Sequence, residues 1–366
     1  MIKSIRLSNF KCFSDIKFEM ENVNLLAGSN GCGKTSLVHA LLLIRQSIEQ
    51  NRSMDQLYLY GKYVDLGMAK DILYEYAKND KIEIELENEL NQKIAFTPSY
   101  EADKYILKSN CLCSPQMIEL DKFGLLNCPF EYISAERIVP QNTFSAISFD
   151  TSLGKRGENT LSFLEENGLK MQVDPALCAE GSDQNNLLYQ VDEWLNKLFD
   201  GFKLNMAMLT EADAVSMRFQ EHSENWMSAP HRAINVGFGI TYVLPVLVAL
   251  LKAKRDDITI IENPEAHLHP KAQRMIGELI LRSASTGAQI ILETHSDHIL
   301  NGIRLGIKNG VIKDPELVTT FFFTRENIGK EYHFNVYKPQ IDKDGNINIW
   351  PDGFFDEWDK ALTDLF

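Results

Sequence analysis

Gly28-Ser29-Asn30-Gly31-Cys32-Gly33-Lys34-Thr35 spells G-x-x-x-x-G-K-[ST], a pattern that works only between a strand and a helix. An apolar run, Val23 to Ala27, stands before it. Leu37, Val38, Leu41, Leu42, Ile44 and Ile48 recur at helical spacing after it. Glycines let the backbone curl until its N–H groups face phosphate oxygens, and the helix N-terminus adds partial positive charge. Asn30, Gly31, Cys32, Gly33, Lys34, Thr35 and Ser36 are therefore the predicted phosphate-loop contacts. Lys34 would reach the β/γ-phosphates and Thr35 would hold Mg2+. ATP or GTP is the expected ligand.

A chain of 366 residues suits one large domain with insertions, or two domains. No apolar run approaches the 18 or more residues that span a bilayer. The start, Met1 to Arg6, runs straight into strand-like alternation, so no signal peptide is expected. Cys12, Cys32, Cys111, Cys113, Cys128 and Cys178 form no secreted disulfide pattern, which points to a reduced, cytoplasmic protein without a membrane partner. The net charge of −14 argues against a surface that grips nucleic acid everywhere, though a local basic groove stays open.

Along the chain, residues 2–8 alternate as a strand, a turn follows through Asn9 to Phe13, and Phe18 begins a second short strand. Residues 1–56 are then half of a nucleotide-binding core. Residues 57–130, rich in Tyr, Ile and Phe between polar turns, read as an inserted antiparallel β lobe. Residues 131–234 read as a helical or irregular lobe, with a helix around Leu187 to Phe199. The core resumes over 235–310, and 311–366 hold further strands and an aromatic tail. Ile258 to Ile261 is a buried-strand run ending in Glu262. Gln289 to Leu292 is another, ending in Glu293-Thr294-His295-Ser296. Strands alternating with helices predict a mostly parallel sheet of an α/β fold, whose ligands collect at the strands' C-terminal ends.

Three segments fall there or beside it. Glu262-Asn263-Pro264-Glu265-Ala266-His267-Leu268-His269-Pro270 brings a carboxylate able to hold Mg2+. Asn235-Val236-Gly237-Phe238-Gly239-Ile240-Thr241 opens a helix, and Asn235, Gly237 and Gly239 make an anion site there. His295 can contact a γ-phosphate or an attacking water. Together these segments, in this order, resemble the ABC-type ATPase heads of the RecF, SMC and OLD (overcoming lysogenization defect) group. Leu7 to Phe13 is similar to that group's opening strand and turn. Pro264 to Pro270 matches most closely the Pro-Glu-x-His-Leu-His-Pro segment of the OLD-like prokaryotic ATPases. Ile349 to Phe355 resembles a tail on a subgroup of uncharacterised activity.

The resemblance implies roles. Gly28 to Thr35 becomes Walker A, Ile258 to Glu262 Walker B, Asn235 to Thr241 the signature loop and His295 the switch histidine. Lys11 is a further nucleotide contact, and Arg137 a weaker phosphate candidate. Two heads would sandwich two ATPs, each between one copy's Walker A and the other's signature. The implied partners are a second copy and a separate effector such as a nuclease, in prokaryotic antiviral defence. A RecF-like DNA-repair role, and a non-hydrolysing scaffold that holds a toxin or nuclease, are the alternatives.

This chain departs from the pattern twice. Glu262 stands where Walker B ends in Asp, and either carboxylate serves Mg2+. Asn263 stands where a Glu polarises the attacking water, and an amide cannot take a proton. Glu265 and His295 are the candidates to replace it, and slow hydrolysis is expected. Zinc sites at Glu265, His267 and His269, or at Cys111, Cys113 and Cys128, fit poorly by spacing. Asp342 to Asn346 reads as a polar turn, and the stretch after His295 is short for a Toprim nuclease fold. The aromatic tail, Trp350, Phe354, Phe355 and Trp358, reads equally as a docking surface or as packing.

Overall fold

The computed structural model describes residues 1–113, 124–147, 150–223, 226–329 and 331–365. The chain divides into two compact units. One comprises Met1–Pro129, Glu316–Gln340 and Ile347–Phe366, the other Phe130–Pro315 and Ile341–Asn346.

The first unit holds an antiparallel sheet in the order Phe13–Glu19, Ile2–Phe10, Glu83–Asn88, Lys93–Pro98, Ile106–Cys113, Gln56–Tyr58. Its dry face is built by alternation: Ile5, Leu7, Ile84, Leu86, Ile94 and Phe96 are fully buried. Each such side chain contributes about 1.5–3 kcal/mol. The strands of 57–113 thus extend the sheet begun by the first strand. The second strand runs over Phe13–Glu19, ending where the sequence places its start at Phe18. Long-range pairing decides this. Phe10 pairs with Phe13, and Asp15 is held by Arg6 Nη2 at 2.6 Å.

The same unit pairs Val23–Gly28 in parallel with Val318–Ile328, and Glu331–Tyr337 joins the latter antiparallel. Phe18, Phe321 and Phe323 bring their rings together at 5.4–5.8 Å, so aromatic packing ties the two sheets of this unit. The aromatic tail folds back. Phe354 is fully buried against Phe322, Trp350 and Phe355, while Trp350 stays half exposed. The side chain of Trp358 lies outside the described residues, as does that of Cys113 in the cysteine cluster.

The second unit carries three parallel strands, Phe130–Ile133, Ile258–Glu262 and Gln289–Glu293. Ile258, Ile260, Ile261, Ile290 and Ile291 have no exposed surface, as sheets covered on both faces require. Helices Phe238–Lys252, Pro270–Ser285 and Asp297–Lys308 accompany them. Residues 131–234 hold the helices Thr160–Asn167 and Leu187–Phe199 and, besides them, an antiparallel sheet. They contain Thr143–Ser145, Phe202–Leu209, Ala214–Ser223, Trp226–Met227 and His231–Arg232, paired antiparallel in one sheet. Val215, Met217 and Phe219 are buried between Ser216, Arg218 and Gln220, the alternation of a strand covered on one side.

Asp342 binds the backbone N–H groups of Asp344 and Asn346 at 2.9 and 2.8 Å, which makes 342–346 a polar turn.

Candidate nucleotide site

In the first unit, Val23–Gly28 ends at the glycine-rich loop, and the helix Lys34–Gln50 begins at its other end. Gly31 (φ 73) and Gly33 (φ 108) take left-handed backbone that a side chain would strain. Gly33 caps the helix with no side-chain hydrogen bond, and Ser36 N–H donates back to Gly33 O at 3.0 Å. Asn30, Gly31 and Thr35 are exposed, Gly33 and Ser36 are half-buried, and Cys32 is buried. Lys34 is buried, and its Nζ donates to Gly28 O at 2.8 Å and Ser29 O at 2.9 Å. The amine is held under the loop by the carbonyls that shape it.

Lys11 stands in the turn between the first two strands at φ 51, its N–H donated to Ile72 O at 2.7 Å. This turn abuts the phosphate loop: a β-carbon on Gly33 would lie 2.8 Å from Cys12 Sγ and 2.9 Å from the Phe13 ring. Burial pushes the Cys12 thiol up to about 11, so it stays protonated at neutral pH. Lys11 Nζ lies 2.7 Å from His39 Nδ1, on the helix that leaves the loop. Burial lowers the Lys11 amine. Burial and the charge of Lys11 bring His39 down to about 4, leaving it a neutral acceptor. Nothing in the residues around His39 marks it, because only tertiary contact brings it to Lys11.

In the second unit, Glu262, Glu265, His295 and the 235–241 segment fall at strand ends and a helix start. Glu262 Oε1 accepts from Tyr132 Oη and Oε2 from Ala135 N, both at 3.0 Å. Burial first, then Glu262, raises the Tyr132 phenol, so Tyr132 remains a donor. An ionised carboxylate has about four lone-pair positions, so these two bonds leave oxygen capacity for a hard cation. Glu265 Oε2 accepts from Thr294 Oγ1 and Oε1 from His295 N, each at 2.8 Å. Glu265 therefore links the loop after one parallel strand to the loop after the next, with the exposed His295 beside it.

Arg137 does not present itself to a phosphate. It is 1% exposed, and its Nη1 and Nη2 donate to the backbone carbonyls of Asn263 and Glu262. Burial brings its guanidinium down to about 10, still charged at neutral pH. Asn263 itself sits at φ 44, in the left-handed region that Asn tolerates better than most residues. That gives a physical reason for an amide where a glutamate is expected.

The 235–241 segment starts the helix Phe238–Lys252 with Gly237 as an N-cap that offers no side chain. The helices Pro270–Ser285 and Asp297–Lys308 are instead capped by His269 and Ser296. Asn235 and Gly237 are exposed, and a β-carbon on Gly237 would meet nothing within 4 Å. Gly239 is the opposite case, since its β-carbon would lie 2.4 Å from His267 O. Phe238 and Tyr242 meet the His267 ring at 5.8 and 4.8 Å. His267 and His269 thus have packing and capping work. Gly239→Ala is expected to destabilise the protein by about 1–3 kcal/mol through this overlap. Urea unfolding measures it, and a change under 0.5 kcal/mol would show that the helix shifts freely.

The AAA ATPase domain family matches residues 1–228. A family described as AAA domain, putative AbiEii toxin, Type IV TA system, matches residues 170–301. Another, a protein of unknown function (DUF3696), matches residues 314–365. No curated protein matches the sequence. The SmcHead bound to the C-winged helix domain of ScpA is similar at a TM-score of 0.54 and 12% identity, over 93% of this chain and 98% of that one. An Smc head domain with an extended coiled coil, bound to the C-terminal domain of ScpA and derived from Pyrococcus furiosus, is similar at 0.50 and 12%, over 100% and 99%. At such identity the likeness concerns the fold: an α/β, ABC-type ATPase head.

Proposed function

The chain belongs to the AAA ATPase domain family of ATP-binding ATPases, and we propose that it closes into a dimer around ATP and thereby controls a separate effector protein. Each ATP lies between the Gly28–Thr35 loop of one copy and the Asn235–Gly239 segment of the other. Lys34 neutralises the phosphates, Lys11 adds a second cation, and Thr35 and Glu262 are the oxygen ligands offered to Mg2+. Bound Mg2+ would screen the phosphate charge.

The observation that carries the dimer reading is the exposed start of the Phe238–Lys252 helix. Gly237 is open to solvent, Phe238 is 53% exposed, and the N–H groups of the first turn have no side-chain cap. Such an end favours an anion brought by another molecule. The effector reading draws on the Smc heads, whose structures hold ScpA domains. The setting in prokaryotic antiviral defence rests on the resemblance to OLD-like ATPases, and the match to a family described by a putative AbiEii toxin is compatible with it.

Hydrolysis is slow in this reading, because Asn263 cannot accept a proton. Glu265 is the carboxylate placed to orient water or receive its proton, with His295 next to it. Asn263 also favours a second reading, an ATP-gated scaffold without turnover. Phosphate release and light scattering, with and without MgATP, test both. Wild type should dimerise in ATP and release phosphate slowly. Glu265→Gln should lower turnover about tenfold, His295 remaining as a second acceptor, and stay dimeric. Unchanged turnover removes Glu265 from the mechanism. A variant that stays monomeric in ATP sinks the dimer, and wild type without phosphate release leaves the scaffold.

A further inference from the structure

Val318–Ile328 follows Val23–Gly28 in parallel register as far as the pair Phe323 and Gly28. There the two chains part. Gly28, at φ 138, passes so close that its β-carbon position is 2.3 Å from Phe323 O, and the chain turns into the phosphate loop. Val318–Ile328 runs on, paired with Glu331–Tyr337 through Ile328 and Glu331. Arg325 lies two residues beyond the fork.

Two contacts fix where its charge stands. Arg325 pairs across the ribbon with Phe334, so Tyr332 is the diagonal neighbour on the same face. The guanidinium carbon sits 4.7 Å from the centre of the Tyr332 ring, a cation–π contact that restrains an otherwise exposed side chain. Its Nη1 is 3.5 Å from the place a β-carbon on Gly31 would occupy. Gly31 is an exposed residue of the phosphate loop, three before Lys34. A planar fork of donors therefore stands at the lip of the loop, in a chain whose net charge is −14.

We infer that Arg325 is a binding residue for the terminal phosphate of the nucleotide held by its own chain. A guanidinium matches phosphate oxygens in pairs, and Nη1 stands 3.5 Å from the β-carbon position of Gly31, within the loop that would hold the nucleotide. Tyr332 acts on the nucleotide through Arg325, by holding the fork in place. No part of the G-x-x-x-x-G-K-[ST] pattern contains this residue, which reaches the loop only because the two parallel strands diverge. The inference rests on the ATP reading above.

Calorimetric titration of the full chain with MgATP and with MgADP separates the two. Arg325→Ala should weaken ATP binding about 10- to 100-fold, the range for a charge-assisted hydrogen bond, and ADP binding less than about threefold. Arg325→Lys should fall between, since it keeps the charge and loses the fork. Tyr332→Leu should weaken ATP a few-fold. Arg325 is exposed, so both of its variants should keep the wild-type circular dichroism. If Arg325→Ala binds ATP like wild type while Lys34→Ala does not, the Arg325 assignment falls and the loop reading stands. Equal losses for ATP and ADP overturn the terminal-phosphate assignment. Failure of wild type to bind either nucleotide overturns both readings.

Discussion

Lys34→Ala is expected to reduce ATP turnover about 10²- to 10³-fold, with a matching loss of ATP affinity. Lys34 Nζ lies within 2.9 Å of the Gly28 and Ser29 carbonyls, so alanine removes the cation at the loop's centre and two hydrogen bonds that set its curvature. The affinity arises where a buried amine and backbone N–H groups converge, away from bulk water, which is why one charge is worth so much there. Lys11 and Arg325 cannot replace it. Lys11 is engaged with His39, and Arg325 stands over Tyr332. Calorimetry and a phosphate-release assay measure the effect, with far-UV circular dichroism as the check on folding. ATP affinity within threefold of wild type would sink the phosphate-loop reading for this chain.

The parts of this protein that the sequence announced are those whose signal is local. The loop Gly28 to Thr35 is flanked by Val23–Gly28 and Lys34–Gln50 as its pattern demands. Two short apolar runs became the strands Ile258–Glu262 and Gln289–Glu293, buried up to their final glutamates. The apolar stretch after Gly239 became the helix Phe238–Lys252, even with Pro245 inside it. What stayed hidden depends on residues far apart in the chain. Val318–Ile328 carries Arg325 to the loop by pairing with a strand almost 300 residues earlier, and nothing around Arg325 says so. In the sheet within 131–234, Val215, Met217 and Phe219 do alternate with polar residues, while the apolar Met208 and Leu209 at the end of Phe202–Leu209 are exposed and break the pattern. His39 reads as an ordinary helix residue until Lys11 is placed against it.

Arg137 shows the same limit with a larger energetic consequence. After Ser134-Ala135-Glu136, Arg137 reads as a weak phosphate contact, yet it is among the largest fully buried side chains. Its two terminal nitrogens hold the carbonyls of Glu262 and Asn263, at the point where the strand ends and Asn263 turns into left-handed backbone. Those carbonyls leave the sheet's ladder there and need donors. Arg137→Ala would leave both without Arg137 and open a cavity, so a loss of about 3–5 kcal/mol is expected. Arg137→Lys should recover only part, because an ammonium cannot span two carbonyls in a plane. Chemical denaturation of both variants measures this. The effect should also reach the chemistry, since Glu262 and Glu265 lie on either side of the clamped turn. Arg137→Lys, if it folds, should show lower turnover than its stability alone accounts for. A loss under 1 kcal/mol in Arg137→Ala would mean that water replaces the guanidinium, and that the strand end holds its shape without the clamp.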